Sequence, residues 1–440
     1  VKSQYFGVIG NRDYIKYQGE KRPFWEFLDS QPDGWLTSLV YAREDLPTGK
    51  TMIFDCGAWS YRAEDIPKIG KDLVTPEWVL TRYQDIGANP GDFLIAPDHM
   101  LIPGVDLDAR RQFNSKSAIE FLRLTIDTQY RPMVTVHGDN LIERIETAKH
   151  YAGMGYDALA LGGLAARASQ KSLVLDMVWE IRKAVPDVWL HVLGLSSPDY
   201  AAAWHEFGIQ SFDGSSHFKQ AFTAGAFFTV ADTGRLQKWQ ATRPGEEITA
   251  PLCDCRACSL LRTEGVDTRS YGSNEHNMGR AAHNMNMLMQ AQRIAVNGTT
   301  VLVSCVGKKQ AEPAPAADLY QSDWFKKART YAEQEGDRWY ILSAEYGLVD
   351  PEKEVKPYEK TLNTMPTDDR MLWAQQTFEQ IKRNVPRGKV VILAGQRYRE
   401  YLLPLMLDAG YSVEVPMEGL GIGQQLAWLM AKTSHQLKLL

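Results

Sequence analysis

Three cysteines fall within six residues, Cys253-Asp254-Cys255-Arg256-Ala257-Cys258, and a His-Asn pair follows downstream at His283-Asn284. Thiolate and imidazole are the donors that tetrahedral zinc prefers, and Cys-x-Cys-x-x-Cys is a recurrent ligand spacing. The competing reading is free thiols in a reduced protein, because disulfides between cysteines two or three residues apart would be strained. Zinc accounts for the whole cluster at once. His276 and His283 both stand in His-Asn-Met contexts, but only His283 opens an apolar-periodic run (Met285, Met287, Leu288, Ala291, Ile294) that would hold it rigidly on a helix. The expected ligands of a structural Zn2+ are therefore Cys253, Cys255, Cys258 and His283. A closed site of this kind leaves no position open for water.

A second group of reactive residues recurs at regular places. Asp55 ends the β-rich run Thr51–Asp55, Asp98 follows Asp92–Pro97, and His137 follows Pro132–Val136. Gly162-Gly163-Leu164 follows Asp157–Leu161, Gly194 closes Val188–Gly194, and Asp213 closes Gln210–Asp213. With Tyr5–Ile9 and Trp35–Val40 these make eight runs before residue 215. Helical stretches separate several of them: Pro76–Ile86, Asn140–Gly153, Gln170–Ala184 and Asp199–Phe207. Strand then helix, eight times, predicts a (β/α)8 TIM barrel with its reactive groups at the carboxyl ends of the strands. A single aspartate at a strand end is as readily a loop or helix cap. Three around one mouth, with glycines between them, form a catalytic arrangement.

Length and composition set the frame for these elements. At 440 residues the chain exceeds one ordinary core, and 44% hydrophobic residues with 10% aromatics mark it as globular. The expected partition is a catalytic barrel over 1–248, a zinc-binding subdomain over 249–298 and a C-terminal α/β open-sheet domain over 299–440. No apolar run approaches the roughly 18 residues that cross a bilayer, and the start, Val1-Lys2-Ser3-Gln4-Tyr5, has no hydrophobic signal region. The reading is a cytoplasmic protein without a membrane partner. A net charge of −5 excludes a generic nucleic-acid coat, so a polyanion would have to meet a local patch. Arg256, Arg262, Arg269 and Arg280, near the zinc segment, are the candidates for phosphate contact.

In the order of its motifs the chain resembles the tRNA-guanine transglycosylase superfamily over roughly residues 1–296. Phe54-Asp55-Cys56-Gly57-Ala58-Trp59 is similar to that family's Asp-Ser-Gly-Gly-Phe-Gln, and Gly162-Gly163-Leu164-Ala165 occurs in it unchanged. Phe212-Asp213 followed by Gln220-Ala221-Phe222-Thr223 resembles the segment bearing its nucleophile, and the cysteine cluster with the delayed His-Asn resembles its zinc site. The resemblance implies Asp213 as nucleophile and Asp55 as general acid/base. It also implies Asp98, His137, Gly162, Gly163, Leu164 and Gly194 as the lining of the base pocket. Exchange of one base for another at an anomeric carbon then runs through a covalent carboxylate ester with retention, on a nucleotide turned out of its stack.

Departures from the family pattern refine that expectation. His137 stands where the family has glutamine. Arg167-Ala168 stands where the tRNA enzymes carry a glycine and an acidic residue, which favours a neutral base such as 7-cyano-7-deazaguanine over a cationic one. Ser215-Ser216-His217 replaces the family's Pro-Thr-Arg. These changes resemble the branch that installs 7-deazaguanines into DNA, encoded by phages and genomic islands, so the cytoplasm would be the host's for a phage protein. DNA is the expected polynucleotide and tRNA the alternative; a catalytically idle nucleic-acid-binding homologue is the non-enzyme alternative. A homodimer is common in the superfamily, although no self-complementary surface is legible.

From Thr299 a new alternation begins, with apolar runs at Thr300–Ser304, Trp339–Leu342, Val390–Ala394 and Ser412–Val415. Between or after them come helical stretches at Asp318–Glu335, Thr367–Asn384, Gln396–Leu407 and Gly423–Lys432. It predicts an open, mainly parallel sheet. Ser304-Cys305-x-x-Lys308, Asp318-Leu319-Tyr320, Ile341–Leu348, Pro357-Tyr358 and Ala394-Gly395-x-x-Tyr398 resemble a domain of unknown function that is also fused to transglycosylase homologues. Ser304, Lys308, Ser343, Glu345 and Gly395 would cluster at strand ends, as a small-molecule or phosphate crevice or as ordinary turn residues.

Overall fold

Side chains alternate between the two faces of a strand, so one inward residue fixes the others. In the computed structural model, which describes residues 3–42, 45–231, 234–305, 307–386 and 388–433, eight strands apply that rule around a closed, all-parallel barrel. They are β1 (Gln4–Ile9), β2 (Gly34–Ser38), β3 (Thr51–Asp55), β4 (Phe93–Ile95), β5 (Arg131–Val136), β6 (Ala158–Leu161), β7 (Trp189–Val192) and β8 (Ser211–Gly214). Sequence neighbours pair throughout, and β1 pairs with β8 to close the ring. Val1 and Lys2, from which the absence of a leader was read, and residues 434–440 lie outside the described residues.

The barrel interior is a packed cluster of Phe6, Leu36, Ile53, Phe93, Ile95, Met133, Ala158 and Ala160. Parity carries this inward face up to the carboxyl ends. Ile53 puts Asp55 inward, Met133 puts Thr135 and His137 inward, and Ala160 does the same for Gly162. At the amino end the half-buried Arg131 guanidinium lies 4.2 Å from the Phe93 ring and 4.8 Å from the Trp189 ring, beside a pair of rings whose centres are 5.1 Å apart.

Helices follow β3 through β8 with local start and stop signals. Thr75, Asp106 and Asn140 each accept a backbone N–H as N-caps, and the helix Leu141–Met154 ends at Gly155 in the left-handed region. The expected eightfold repetition of helices does not hold for the first two crossovers. Between β1 and β2 stands a hairpin, Tyr14–Tyr17 paired with Glu20–Pro23, and a short 3-10 turn, Phe24–Phe27. The reason is local: Gln18 and Gly19 both have positive φ (51° and 83°), the two-residue turn that matches the twist of a hairpin. After β2 comes another 3-10 turn, Leu39–Tyr41.

The chain divides into two units, one of residues 1–228 with 238–289 and one of 229–237 with 290–440, so the cysteine segment lies in the barrel's unit. The second unit holds a five-stranded sheet of β9 (Thr300–Ser304), β10 (Arg338–Ser343), β11 (Gly347–Val349), β12 (Lys389–Leu393) and β13 (Ser412–Glu414). Their spatial order is β11-β10-β9-β12-β13, parallel except for the β11 edge. The expected helix from Asp318 is broken at Tyr320, where Ser322 caps a fresh helix, Asp323–Glu335. No helix among the described residues is long and apolar enough to cross a membrane.

Ile53 is completely buried in the barrel interior. Ile53→Ala should lower the unfolding free energy of the barrel by about 2–5 kcal/mol through lost transfer energy and an unfilled cavity, measured as a shift of the denaturant midpoint at unchanged slope.

Candidate active site and metal centre

Asp55, Asp98 and Asp213 meet at the carboxyl end of the barrel, where their charges act on one another. Burial first, and then the negative charge of Asp98, push the Asp55 carboxyl up to about 7. The Gly57 N–H, 3.0 Å from Oδ2, and the Ser38 hydroxyl draw it back in part, and Asp213 adds a smaller upward push. A carboxyl held near neutrality can give a proton and take one back.

Asp98 is buried with both oxygens engaged. Oδ2 lies 2.6 Å from His137 Nε2, and Oδ1 accepts from the Cys56 thiol at 3.1 Å. The thiol is a donor because burial, followed by Asp98 and Asp55, pushes its pKa well up. Tyr61 donates to the Asp98 carbonyl at 3.0 Å and packs at one edge of His99. A carboxylate so oriented presents its remaining lone pairs in a fixed plane, as recognition of a planar N–H edge requires.

Asp213 has a different escort. Its Oδ1 accepts from the Gly194 N–H at 2.9 Å and lies 3.2 Å from His191 Nε2, while no described residue engages Oδ2. The histidine's tautomer follows from its neighbours. Trp189 Nε1, a donor only, gives its proton to Ser211 Oγ at 2.8 Å. Ser211 then donates to His191 Nδ1 at 2.8 Å, which leaves the ring proton on Nε2 for Asp213. One oxygen of Asp213 is thus tied down, and the other has no hydrogen-bond partner among the described residues. His191 was missed in the sequence; its signal was a lone polar residue inside the apolar run Trp189-Leu190-His191-Val192-Leu193.

Arg144 was also missed. Its buried guanidinium donates to the Gly162 carbonyl at 2.9 Å and reaches the Val136 carbonyl at 3.4 Å, joining the ends of β5 and β6 from behind. Gly163 has φ 72°, a left-handed conformation that favours glycine, and a Cβ there would stand 3.3 Å from Arg144 Nη2 and press on the guanidinium. Leu164 is fully buried beside it. The structure therefore brings Asp55, Asp98, His137, Gly162, Gly163, Leu164, Gly194 and Asp213 to one end of the barrel. His217, which follows the Asp213 strand, is fully buried against Phe24 and Phe218, and burial depresses its pKa to about 3.

The ligating atoms of Cys253, Cys255, Cys258 and His283 all lie within 4.8 Å of one another. Cys255 Sγ and Cys258 Sγ are each 3.4 Å from His283 Nδ1. That is close to the edge of about 3.6 Å that a tetrahedron with zinc's usual Zn–S and Zn–N bonds would have. His283 Nε2 donates to the Phe228 carbonyl at 2.6 Å, which turns the Nδ1 lone pair toward the sulfurs, and the Phe227 ring stacks on the imidazole at 3.8 Å. The donor set fits a four-coordinate ion. His276, by contrast, accepts from the Ser273 N–H at 3.1 Å and takes no part. Asn284 holds the same strand by accepting from Phe228 N and donating to the Ala226 carbonyl.

The arginines expected to meet phosphate divide. Arg280 is fully buried and donates to the carbonyls of Thr268 and Ser270, so it is a structural clamp and is withdrawn as a phosphate contact. Arg269 pairs with Asp267 and Arg262 with Asp254, while Arg256 reaches the Glu26 carbonyl.

Compared with known proteins, the chain is 23% identical over 190 residues to a DNA-guanine transglycosylase of Salmonella montevideo. The likeness supports a transglycosylase relationship. It covers 40% of this chain and 43% of that relative, so the chain spans under half of the protein it matches. Residues 300–431 match a family described as of unknown function (DUF6884).

Two outcomes are expected. Cys255→Ser should lower bound metal and thermal stability together, because metal binding and folding are coupled; full stability with no metal would remove the structural-ion reading. His191→Ala takes away one hydrogen bond to a charged group, about 1.5–3 kcal/mol. If Asp213 is the reacting carboxylate proposed below, this should slow turnover by about ten- to a hundred-fold with little change in KM, read from steady-state kinetics.

Proposed function

We propose that the protein exchanges guanine in DNA for a 7-deazaguanine, with Asp213 as nucleophile and Asp55 as acid and base. The observation that carries this reading is the unequal treatment of two carboxyls at one barrel mouth. Asp55 titrates near 7, while Asp213 is held by one oxygen and has no hydrogen-bond partner among the described residues at the other. The transglycosylase likeness supports the reaction class, guanine transglycosylation in general.

In the first half-reaction the target nucleotide is turned out of its stack. The other Asp213 oxygen attacks the anomeric carbon from the face opposite the base; the C–N bond breaks, its electron pair leaves with guanine, and protonated Asp55 supplies the proton. In the second half, Asp55, now a carboxylate, removes the ring N–H proton of the incoming base. That nitrogen attacks the same carbon and expels Asp213. Two inversions return the original configuration. Asp98 and His137 read the planar edge of the base, and the Gly162-Gly163-Leu164 turn lies along its face. Arg167-Ala168, where the tRNA enzymes carry a glycine and then an acidic selector for a cationic base, favours a neutral incoming base, 7-cyano-7-deazaguanine. Zinc in the Cys3His centre would be structural, since four protein ligands leave no place for substrate.

The test is exchange of 7-cyano-7-deazaguanine into guanine-containing DNA and, in parallel, unmodified tRNA, scored by nucleoside mass spectrometry. Incorporation into DNA by the native chain, and neither incorporation nor covalent adduct with a folded Asp213→Ala variant, is the expected result. Incorporation into tRNA alone returns the chain to the tRNA branch; persistent exchange by Asp213→Ala moves the nucleophile elsewhere. Because Asp55 must be protonated to release guanine, single-turnover guanine release should be fast below pH 7 and fall as pH rises through about 7.

A further inference from the structure

The order of the second unit's sheet reverses direction at β9. From β9 the chain goes to β10 on one side and then returns past it to β12 on the other. In open α/β sheets the crevice outside the carboxyl ends at such a point is where ligands sit. Here it is lined by groups that neither the barrel chemistry nor the metal centre uses. Tyr320, Ser343, Cys305 and Tyr398 are buried there, and Tyr358 is half-buried.

These five residues form a chain of donors. Tyr320 and Tyr358 hydroxyls are 2.9 Å apart, Ser343 Oγ is 2.8 Å from Tyr358, and Cys305 Sγ is 3.0 Å from the Tyr398 hydroxyl. Ser343 Oγ also accepts from the Glu345 and Tyr346 N–H groups, so its own proton points to Tyr358. Five O–H and S–H groups thus meet in one cluster, and a contact of Tyr358 with Cys305 joins its two halves. The phenols keep their protons at neutral pH: burial, with Cys305 next, pushes Tyr320 up to about 12, and Tyr358 and Tyr398 shift the same way for the same reasons.

A cation completes the arrangement. Lys309 Nζ lies 4.2 Å from the Tyr358 ring centre and 5.9 Å from that of Tyr320. Its backbone is fixed there, since Lys309 bridges to Tyr320 and the Gln310 and Gln321 N–H groups bond to Leu319 and Lys308. No carboxylate lies within ion-pair distance of Lys309 among the described residues, and Lys308 beside it is exposed. Gly307, which follows Cys305 by two residues, and Gly395, which opens the helix bearing Tyr398, are exposed, and a Cβ at either would meet nothing within 4 Å. The cavity of about 500 Å³ beyond Tyr346 and Trp373 is a separate space, lined by Glu345, Glu359 and Asp369 and by none of these five residues.

We propose that this crevice, built on Cys305, Lys309, Tyr320, Tyr358 and Tyr398, is a binding site for a phosphate-bearing ligand. Hydroxyl and thiol donors gathered around an ammonium with no carboxylate partner call for an acceptor that is an anion. A metal ion or an amine would meet no carboxylate at these five residues, and a neutral sugar or base would leave Lys309 unmatched. The site does not depend on the barrel's reaction. The phosphate can be that of a free nucleotide or of a polynucleotide strand, and the chemistry is common to both.

The experiment titrates the full-length protein with inorganic phosphate, with dGMP and with a single-stranded oligodeoxynucleotide by calorimetry. It compares the native chain with Lys309→Met, Tyr358→Phe and Gly395→Phe; the last adds a ring at an exposed position whose φ of −66° suits any residue. Thermal melting of each variant confirms the fold. At least tenfold weaker dGMP binding by Lys309→Met and Gly395→Phe, and a smaller loss by Tyr358→Phe, is the expected result for a free nucleotide. The same losses for the oligonucleotide instead identify the strand as the source, and losses confined to inorganic phosphate identify the free ion. If none of the three probes binds the native chain, or if folded variants bind all of them as the native chain does, the proposal is overturned.

Discussion

Three carboxylates crowd one barrel mouth, and like charges in a partly desolvated space oppose each other's ionisation. The surroundings resolve that conflict unequally. Asp98 has a histidine and a thiol, Asp213 has a histidine and a backbone N–H, and Asp55 has only a backbone N–H and a serine hydroxyl. The least compensated group is the one that holds its proton to neutral pH. The proposed division of labour between Asp55 and Asp213 rests on this inequality.

The supports of that arrangement lie one layer deeper. His191 sits at the level of Ser211 in the adjacent strand, and the indole of Trp189 fixes its tautomer through that serine. Arg144 reaches up from a helix and ties together the carbonyls at two strand ends. The metal-ligand cluster follows the same logic, with the Phe228 carbonyl aiming the imidazole of His283 and Thr268 placed 3.0 Å from the sulfur of Cys258.

Much of this was legible in the chain. Apolar runs ending in Asp, His or Gly mark the barrel strands and their mouth, because period-two alternation makes the end residue share a face with the core. Cysteine spacing marks the metal donors, and the helical run after His283 separates it from His276. The supporting residues were not legible, since His191 and Arg144 act through tertiary neighbours that sequence spacing does not reveal. The first two crossovers escaped for another reason: the hairpin at Gln18-Gly19 lacks the usual Asn-Gly or Asp-Gly signal. Arg280 was misjudged because a buried guanidinium satisfied by carbonyls looks, in sequence, like any surface arginine.

The packed interior of the barrel has a further consequence. Its eight strands enclose a filled core and not a pore, so in the proposed exchange the departing and the arriving base would share the mouth at the carboxyl end. A double displacement at that mouth would have departure precede arrival, and initial-rate plots against the two substrates would run parallel.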